Sequence, residues 1–150
     1  MLVNQKMSEG LTIADALAPA SQAAGTVATP NWIPVLVYRR MMALIQTGVL
    51  GASATLDAKL RQATDSSGTG AKDITGKAIT QIVKASGDNK IATIDLNVDT
   101  DLDSANGFAY VQVSLTIGTA ASIVGAYLFG LPGYEPATAY NAAAVVQNAG

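Results

Sequence analysis

Three segments of this chain alternate between apolar and polar side chains over most of their length, and this pattern limits the possible folds more than any other feature. The segments are Thr55–Gln62, Ile91–Val98 and Phe108–Gly118. Alternation with a period of two is typical of a strand that buries one face and leaves the other in water. No amphipathic helix of useful length separates these segments. We therefore predict antiparallel strands rather than strand–helix–strand units.

Further strands are predicted between and beside these three. Val35–Gln46 is mostly apolar with β-branched and aromatic members, and Lys72–Val83 reads as one or two short strands with a kink at Gly76. Ala121–Gly130 is apolar on both faces, so we expect it to be central in its sheet or covered by another chain. Six or seven such strands predict an all-β antiparallel β-sandwich, and a jelly roll if a terminal segment adds a strand.

The two ends of the chain do not follow the strand pattern. Residues 1–34 are rich in alanine and interrupted by proline and glycine, with room for at most one helical turn at Thr12–Leu17. We predict that residues 1–34 form an extended N-terminal arm packed on a neighbour, the alternative being an ordinary loose terminus. Residues 35–134 are the predicted sandwich domain, and residues 135–150 a C-terminal tail of small side chains.

The composition excludes several kinds of active site. The 150 residues include no cysteine and no histidine, which removes thiolate nucleophiles, histidine-based triads and the usual zinc ligands. The formal net charge is −2, so nucleic acid is not an expected partner. We predict no enzymatic activity, no cofactor, and no catalytic, cofactor-binding or metal-binding residues.

The low charge of the chain points to protein partners. Charged residues make up 13% of the chain, against about 25% in typical soluble domains, and the mean hydropathy is +0.29. The longest apolar run, Ala120–Leu131, is too short for a membrane-spanning helix, which needs about 20 residues, and the N-terminus does not resemble a signal peptide. We therefore predict that other protein covers much of the surface, in an assembly that includes copies of this chain.

Residues 70–78 superficially resemble a phosphate-binding loop. That signature has four residues between its glycines and a serine or threonine after the lysine. Here five residues separate Gly70 from Gly76, and Ala78 follows Lys77. We interpret the segment as a loop followed by a kinked strand.

The acidic turn at residues 99–107 contains three closely spaced carboxylates, Asp99, Asp101 and Asp103. A calcium loop that began at Asp99 would need glycine at its sixth position and glutamate at its twelfth, where this chain has Ser104 and Tyr110. Two alternatives remain open at this point: a solvated acidic turn, or a weak cation site formed by the three aspartates.

Three other side chains stand out close to the predicted boundary between the arm and the sandwich domain. Arg39 and Arg40 are adjacent in a predicted strand, so we expect them on opposite faces, with a carboxylate or carbonyl partner for whichever one is buried. Trp32 lies between two prolines and is expected to plug the edge of the core.

Several pieces of the chain together resemble a known group of proteins. Residues 48–80 contain ATLDAKL and DITGKAIT, Asp88–Lys90 reads DNK, and Tyr110–Gly130 begins YVQVSLTIGTAAS. These segments are similar to those of small virion structural proteins of tailed bacteriophages. The resemblance covers about residues 35–134 and consists of strand patterns rather than a catalytic signature, so it assigns no site residues.

The resemblance implies a jelly-roll-like β-sandwich that acts as a capsid decoration, or cement, protein. Its implied partners are the major capsid protein and copies of itself, and its implied location is the capsid surface of the virion after synthesis in the host cytoplasm. The alternative is a neck, tail or fibre protein, including a receptor- or carbohydrate-binding module.

Overall fold

The computed structural model describes residues 6–133, in which two antiparallel sheets enclose one hydrophobic core. The first sheet contains, in spatial order, β1 (Thr12–Gln22), β10 (Ser122–Pro132), β4 (Tyr38–Thr47) and β8 (Ile91–Asn97). The second sheet contains, in spatial order, β2 (Gly25–Ala28), β9 (Tyr110–Gly118), β5 (Thr55–Ala63) and β6 (Lys72–Ala78). Two short strands complete the second sheet: β3 (Ile33–Pro34) beside β9 and β7 (Ile82–Val83) beside β5.

The helices are single turns in the connections. They are α1 (Met7–Gly10), α2 (Lys84–Gly87), α3 (Val98–Asp101) and a 3₁₀ turn at Ser104–Asn106. Within residues 6–133, no helix is long and apolar enough to cross a membrane.

The strand order is that of a jelly roll. β3 continues the line of β2 along β9, and β7 continues the line of β6 along β5, so the chain has eight strand positions. Numbered along the chain, the positions run 1-8-3-6 in the first sheet and 2-7-4-5 in the second. Chain neighbours therefore alternate between the sheets, as in a double Greek key, except that positions 4 and 5 pair with each other in the second sheet. The predicted all-β sandwich with a jelly-roll arrangement is confirmed.

The expectation that no strand precedes Val35 is wrong. Thr12–Gln22 forms an edge strand against β10, and Gly25–Ala28 pairs with β9. The alanines of β1 have low intrinsic strand propensity, but a neighbouring strand supplies hydrogen-bond partners that override it. The segment thus provides the extra strand positions of the jelly roll instead of an arm, and the one helical turn lies earlier, at Met7–Gly10. The predicted tail at 135–150 lies outside the described residues.

The predicted strands after Val35 are largely confirmed. The alternating segments become β5, β8 and β9, and Ala121–Gly130 becomes β10, which is central between β1 and β4 as expected. The kink predicted at Gly76 is present, since this residue has a φ of +74° within β6. The first predicted strand begins later, at Tyr38, because residues 36–37 form a turn.

The core lies between the two sheets and is built from the inward positions of both. Val111, Val113, Leu115 and Ile117 of β9 all point into it, as their alternation predicts. They face the inward row of the first sheet, which includes Ala43, Ile45, Val124, Ala126 and Leu128. Because these positions are occupied by buried apolar residues, the remaining positions on β4 and β10 must face outward.

Candidate interaction surface

Two of the three carboxylates of the acidic turn, those of Asp101 and Asp103, form separate ion pairs, and Asp99 is exposed. Asp101 accepts a hydrogen bond from the Asn97 backbone amide at 2.7 Å and pairs with the Lys77 ammonium at 2.8 Å. The hydrogen bond from Lys77 is the main cause of the lowered pKa of Asp101. Lys77 lies in β6, so this pair ties the acidic turn to the edge of the second sheet.

Asp103 is held in the same way by other partners. It pairs with Lys72, also in β6, and accepts a hydrogen bond from Asn106 Nδ2 at 2.8 Å. These hydrogen bonds, that of Lys72 first, lower the pKa of Asp103. The Lys72 ammonium also lies 4.1 Å from the centre of the Phe108 ring. Among residues 6–133, no three carboxylates are placed to hold a metal ion.

The segment that resembles a phosphate-binding loop has the geometry of a strand. Residues 72–78 form β6, and the residues before them form a turn closed by hydrogen bonds from the Ser67 and Thr69 amides to Asp65. A phosphate-binding loop opens into a helix, whose N-terminus binds the anion. Here a strand follows the loop, which confirms the interpretation of residues 70–78 as a loop and a kinked strand.

The outer face of the second sheet is polar and its charges are satisfied. Lys59 pairs with Asp73 at 2.7 Å, and Asp57 accepts a hydrogen bond from Gln81 Nε2 at 2.8 Å. A shallow cavity of about 290 Å³ opens on this face, lined by these side chains of β5 and by Ala78, Ile79, Ser114 and Thr116. The cavity contains no unsatisfied charge, so it has no feature that specifies a ligand.

The outer face of the first sheet is, by contrast, apolar. Outward positions on β1, β4 and β10 carry Ile13, Ala16, Met42, Leu44, Ile123, Tyr127, Phe129 and Leu131, and we call this set the apolar face. The outward positions of β4 also include two polar residues, Arg40 and Gln46. The rings of Tyr127 and Phe129 stack with their centres 6.4 Å apart. Ile123 is 42% exposed, and the other members are partly exposed. A continuous apolar patch of this kind marks a contact surface.

Exposed aliphatic side chains extend the apolar face at both ends. Ile91, at the start of β8, is 62% exposed, and Val49 lies next to Ile123 with a backbone hydrogen bond between them. At the opposite end, Leu36 is 85% exposed in the turn that leads into β4. In the sequence, the segment Ala121–Gly130 indicated the apolar face, because it is apolar on both of its own faces. Met42 and Leu44 were not singled out, since they lie in a nearly continuous apolar run.

Arg39 and Arg40 are both exposed, so neither needs the partner that was expected for a buried guanidinium. The register between β4 and β10 shifts here: Leu131 pairs with Arg40 but Pro132 pairs with Tyr38. The resulting bulge leaves Arg39 without a cross-strand partner and turns both side chains to solvent. Neither guanidinium has an ion pair with a residue in the range 6–133.

Trp32 lies directly before β3, and its role as a plug at the edge of the core stays a prediction. It is partly buried and packs on the turn at Asp65–Gly68. A Cβ atom added at Gly68 would lie 2.5 Å from the Trp32 Nε1 atom, so only glycine allows this approach. The contact fixes the turn between β5 and β6 against the strand β3.

Comparisons with known proteins find solved structures that are similar to this chain only at a low level. No protein-family model matches the chain, and no curated protein matches it. A chain of the cowpea mosaic virus top component, a naturally occurring empty particle, is similar with a TM-score of 0.43 and 9% identity, over 86% of this chain and 89% of that one. A chain of broad bean stain virus has a TM-score of 0.37 and 13% identity, over 82% and 67%.

A third solved structure is not viral. A chain of the Bacillus endospore appendages, which are disulfide-linked pili, has a TM-score of 0.31 and 16% identity, over 86% of this chain and 94% of that one. The assignment of the jelly roll rests on the strand order described above.

Proposed function

We propose that this chain is a structural protein of a bacteriophage virion, which decorates the capsid and stabilises the shell by bridging major capsid protein subunits. The proposal assigns it no enzymatic activity. The observation that carries it is the apolar face of the first sheet. Such a face is unfavourable in water and becomes favourable when another protein covers it.

The contrast between the two sheets supports this role. The second sheet presents paired charges such as Lys59–Asp73, whereas the first presents aromatic and aliphatic side chains. A subunit with one apolar and one polar face can contact protein on one side and solvent on the other. The low charged fraction of 13% fits a chain with much of its surface covered.

The strand pattern supports the same role. The resemblance of residues 48–80 and 110–130 to virion proteins of tailed bacteriophages implies a capsid protein of the decoration kind. On a closed shell, many identical copies act together, so each contact can be weak while the layer as a whole binds firmly. The proposed location is therefore the capsid surface, after synthesis in the host cytoplasm.

Quantitative mass spectrometry of purified virions tests the proposal. We expect this chain in a simple ratio to the major capsid protein, as for a protein spread over the whole shell. A handful of copies per particle would move the chain to the neck, tail or fibre and overturn the decoration role. Absence from virions would overturn the virion assignment altogether.

Shell stability provides a second, independent measurement. Capsids that lack this chain are expected to release their DNA at a lower temperature than complete capsids. Adding the purified chain back should restore the release temperature, with saturation at the copy number found in virions. Failure to bind such capsids would contradict the proposal even if the chain were found in virions.

A further inference from the structure

One dipeptide at the end of the acidic turn is chemically reactive. Asn106 is followed by Gly107, and none of the six other asparagines of the chain is followed by glycine. The side-chain amide of an asparagine can react with the backbone nitrogen of the next residue, and glycine hinders this reaction least because it has no side chain. Gly107 has a φ of +82°, and no atom lies within 4 Å of the position that a Cβ would take. The space beside this backbone nitrogen is therefore open.

The structure places the dipeptide in a short, exposed turn. Asn106 is the last residue of the 3₁₀ turn at Ser104–Asn106, and both Asn106 and Gly107 are exposed. A single 3₁₀ turn has few hydrogen bonds, and their geometry is poorer than in an α-helix. Such exposed segments open locally at little cost in free energy. Both reacting groups are therefore accessible to water when the turn opens.

Two hydrogen bonds engage the reacting groups while the turn is closed. Asn106 Nδ2 donates to Asp103 Oδ1 at 2.8 Å. The Gly107 backbone amide donates to the Ser104 carbonyl oxygen at 3.0 Å. Reaction requires that the Asn106 side chain leave Asp103 and that the Gly107 nitrogen lose its proton. We therefore expect these two hydrogen bonds to set the rate in the folded chain.

The other asparagines within residues 6–133 do not combine these features. Asn31 is held by two hydrogen bonds to the buried carboxylate of Asp15, and it is followed by tryptophan. Asn89 and Asn97 are followed by lysine and valine, whose side chains crowd the backbone nitrogen. They serve as internal references for the reactivity of Asn106.

We propose that Asn106 is a site of spontaneous deamidation. The Gly107 nitrogen loses its proton to hydroxide and attacks Asn106 Cγ. A bond forms between these two atoms, the Cγ–Nδ2 bond breaks, and Nδ2 leaves as ammonia after taking a proton from water. A water molecule then opens the cyclic imide. Aspartate results if the new bond breaks, and isoaspartate results if the original backbone bond breaks. The net reaction consumes one water and releases one ammonia, without an oxidant or a cofactor.

The aspartate product weakens a link between the acidic turn and the second sheet. It replaces the Nδ2 donor, 2.8 Å from Asp103, by a carboxylate oxygen. Two negative charges then face each other where a hydrogen bond had been. Asp103 is the partner of Lys72 in β6, so this ion pair is disturbed. The Lys77–Asp101 pair does not involve Asn106 and still joins the turn to β6.

The isoaspartate product lengthens the main chain by one atom at residue 106. The closed turn is defined by the bond from Gly107 to Ser104 and by a second bond, from the Phe108 amide to the Asp103 carbonyl oxygen at 3.3 Å. An added atom disrupts the spacing of both bonds just before β9 begins. This inference does not rest on the proposed function, because the reaction needs only the folded chain and water.

Peptide mass mapping of the purified full chain, after prolonged incubation in mildly alkaline buffer, tests the proposal. We expect a mass gain at Asn106 equal to the exchange of an NH₂ group for an OH group. Two products of equal mass should form, and the isoaspartate product should accept a methyl group from an isoaspartyl methyltransferase. Asn106→Gln is the control and should show no gain at this position, because its longer side chain closes a ring much more slowly. No gain at Asn106, or equal gains at Asn89 and Asn97, would overturn the proposal.

A second variant tests the control of the rate by the turn. Asp103→Ala removes the acceptor of the Asn106 side chain, and it should speed deamidation of the folded chain by roughly tenfold, the factor that corresponds to one hydrogen bond to a charged group. Asp99→Ala is the matched control, since it removes an exposed carboxylate of the same turn and should react like wild type. In urea all three chains should react equally fast. Equal rates for Asp103→Ala and wild type in the folded state would overturn the role of this hydrogen bond.

The effect of the product is measured on a variant that contains it from the start. Asn106→Asp should have a lower thermal midpoint than Asn106→Ala, because alanine removes the donor without adding a charge beside Asp103. A midpoint equal to or above that of Asn106→Ala would show that the new carboxylate does not disturb the Lys72–Asp103 pair, and would overturn this part of the inference.

Discussion

Asn31 donates two hydrogen bonds to the carboxylate of Asp15, from its backbone amide to Oδ2 at 2.9 Å and from its side-chain Nδ2 to Oδ1 at 3.1 Å. Asp15 is fully buried in β1, and Asn31 lies in the turn between β2 and β3. The contact therefore joins the edge of the first sheet to the edge of the second. A buried carboxylate needs such donors, because its removal from water is otherwise costly.

Replacement of Asn31 by alanine is expected to destabilise the sandwich. The change removes the Nδ2 donor and leaves one carboxylate oxygen of a buried group with fewer hydrogen bonds. We expect the free energy of unfolding to fall by about 1–3 kcal/mol, measured by urea denaturation followed by circular dichroism. Asn106→Ala is the control, since Asn106 donates to Asp103 at an exposed site. Equal losses in the two variants would contradict the special role of the buried carboxylate.

The contact between Gly68 and Trp32 leads to a second prediction. Gly68 has a φ of +82°, and a Cβ there would lie 2.5 Å from Trp32 Nε1, whereas Gly70 has a φ of +65° with no atom within 4 Å. Gly70→Ala should cost about 1–2 kcal/mol from backbone strain alone. Gly68→Ala should cost more, and should also shift the fluorescence of Trp32 to the red by exposing the ring. Identical stability and fluorescence in both variants would show that the indole does not rest on this turn.

The Lys77–Asp101 pair predicts a pH-dependent contribution to stability. The pKa of Asp101 is lower in the folded chain than in the unfolded chain. The stabilisation that the ion pair gives is therefore fully present above the unfolded pKa of about 3.9, and it is lost as the pH falls through the folded pKa. Lys77→Gln should therefore lower the thermal midpoint at pH 7. The difference from wild type should shrink as the pH falls below about 4.

Arg39→Gln is the control for this experiment. Arg39 is exposed and has no ion pair within residues 6–133, so its variant should show no such pH-dependent difference. A Lys77→Gln difference that stays constant down to low pH would mean that the loss comes from packing of the lysine stem and not from its charge.

The strands with strong alternation could be predicted from the sequence. A strand that forms only because a neighbouring strand pairs with it could not. β5, β8 and β9 follow from their own side chains, since each has one apolar and one polar face. β1 does not: its alanine-rich sequence has no period, and it becomes a strand because β10 offers a free edge. The jelly roll was therefore predicted only as a possibility that depended on a terminal strand.

The apolar face could likewise be predicted only in part, because its local pattern is visible in the sequence and its strand pairing is not. The two apolar faces of Ala121–Gly130 indicated a central or covered strand, and β10 is indeed central. The sequence could not show that Met42 and Leu44 lie beside Tyr127 and Phe129, because that depends on the register of β4. Likewise, the bulge that exposes both arginines arises from pairing with Pro132 and has no local signal.

The position of β10 has a consequence for the order in which the chain can fold during synthesis. β1 is made first of the strands and β4 soon after, yet each pairs with β10, which is made last among residues 6–133. The first sheet therefore cannot close before β10 has been made, and β1 and β4 keep unpaired edges until Ser122–Pro132 has left the ribosome. Such long-range pairing is slow. A product truncated before β10 would expose two strand edges at once, and we expect it to aggregate rather than fold.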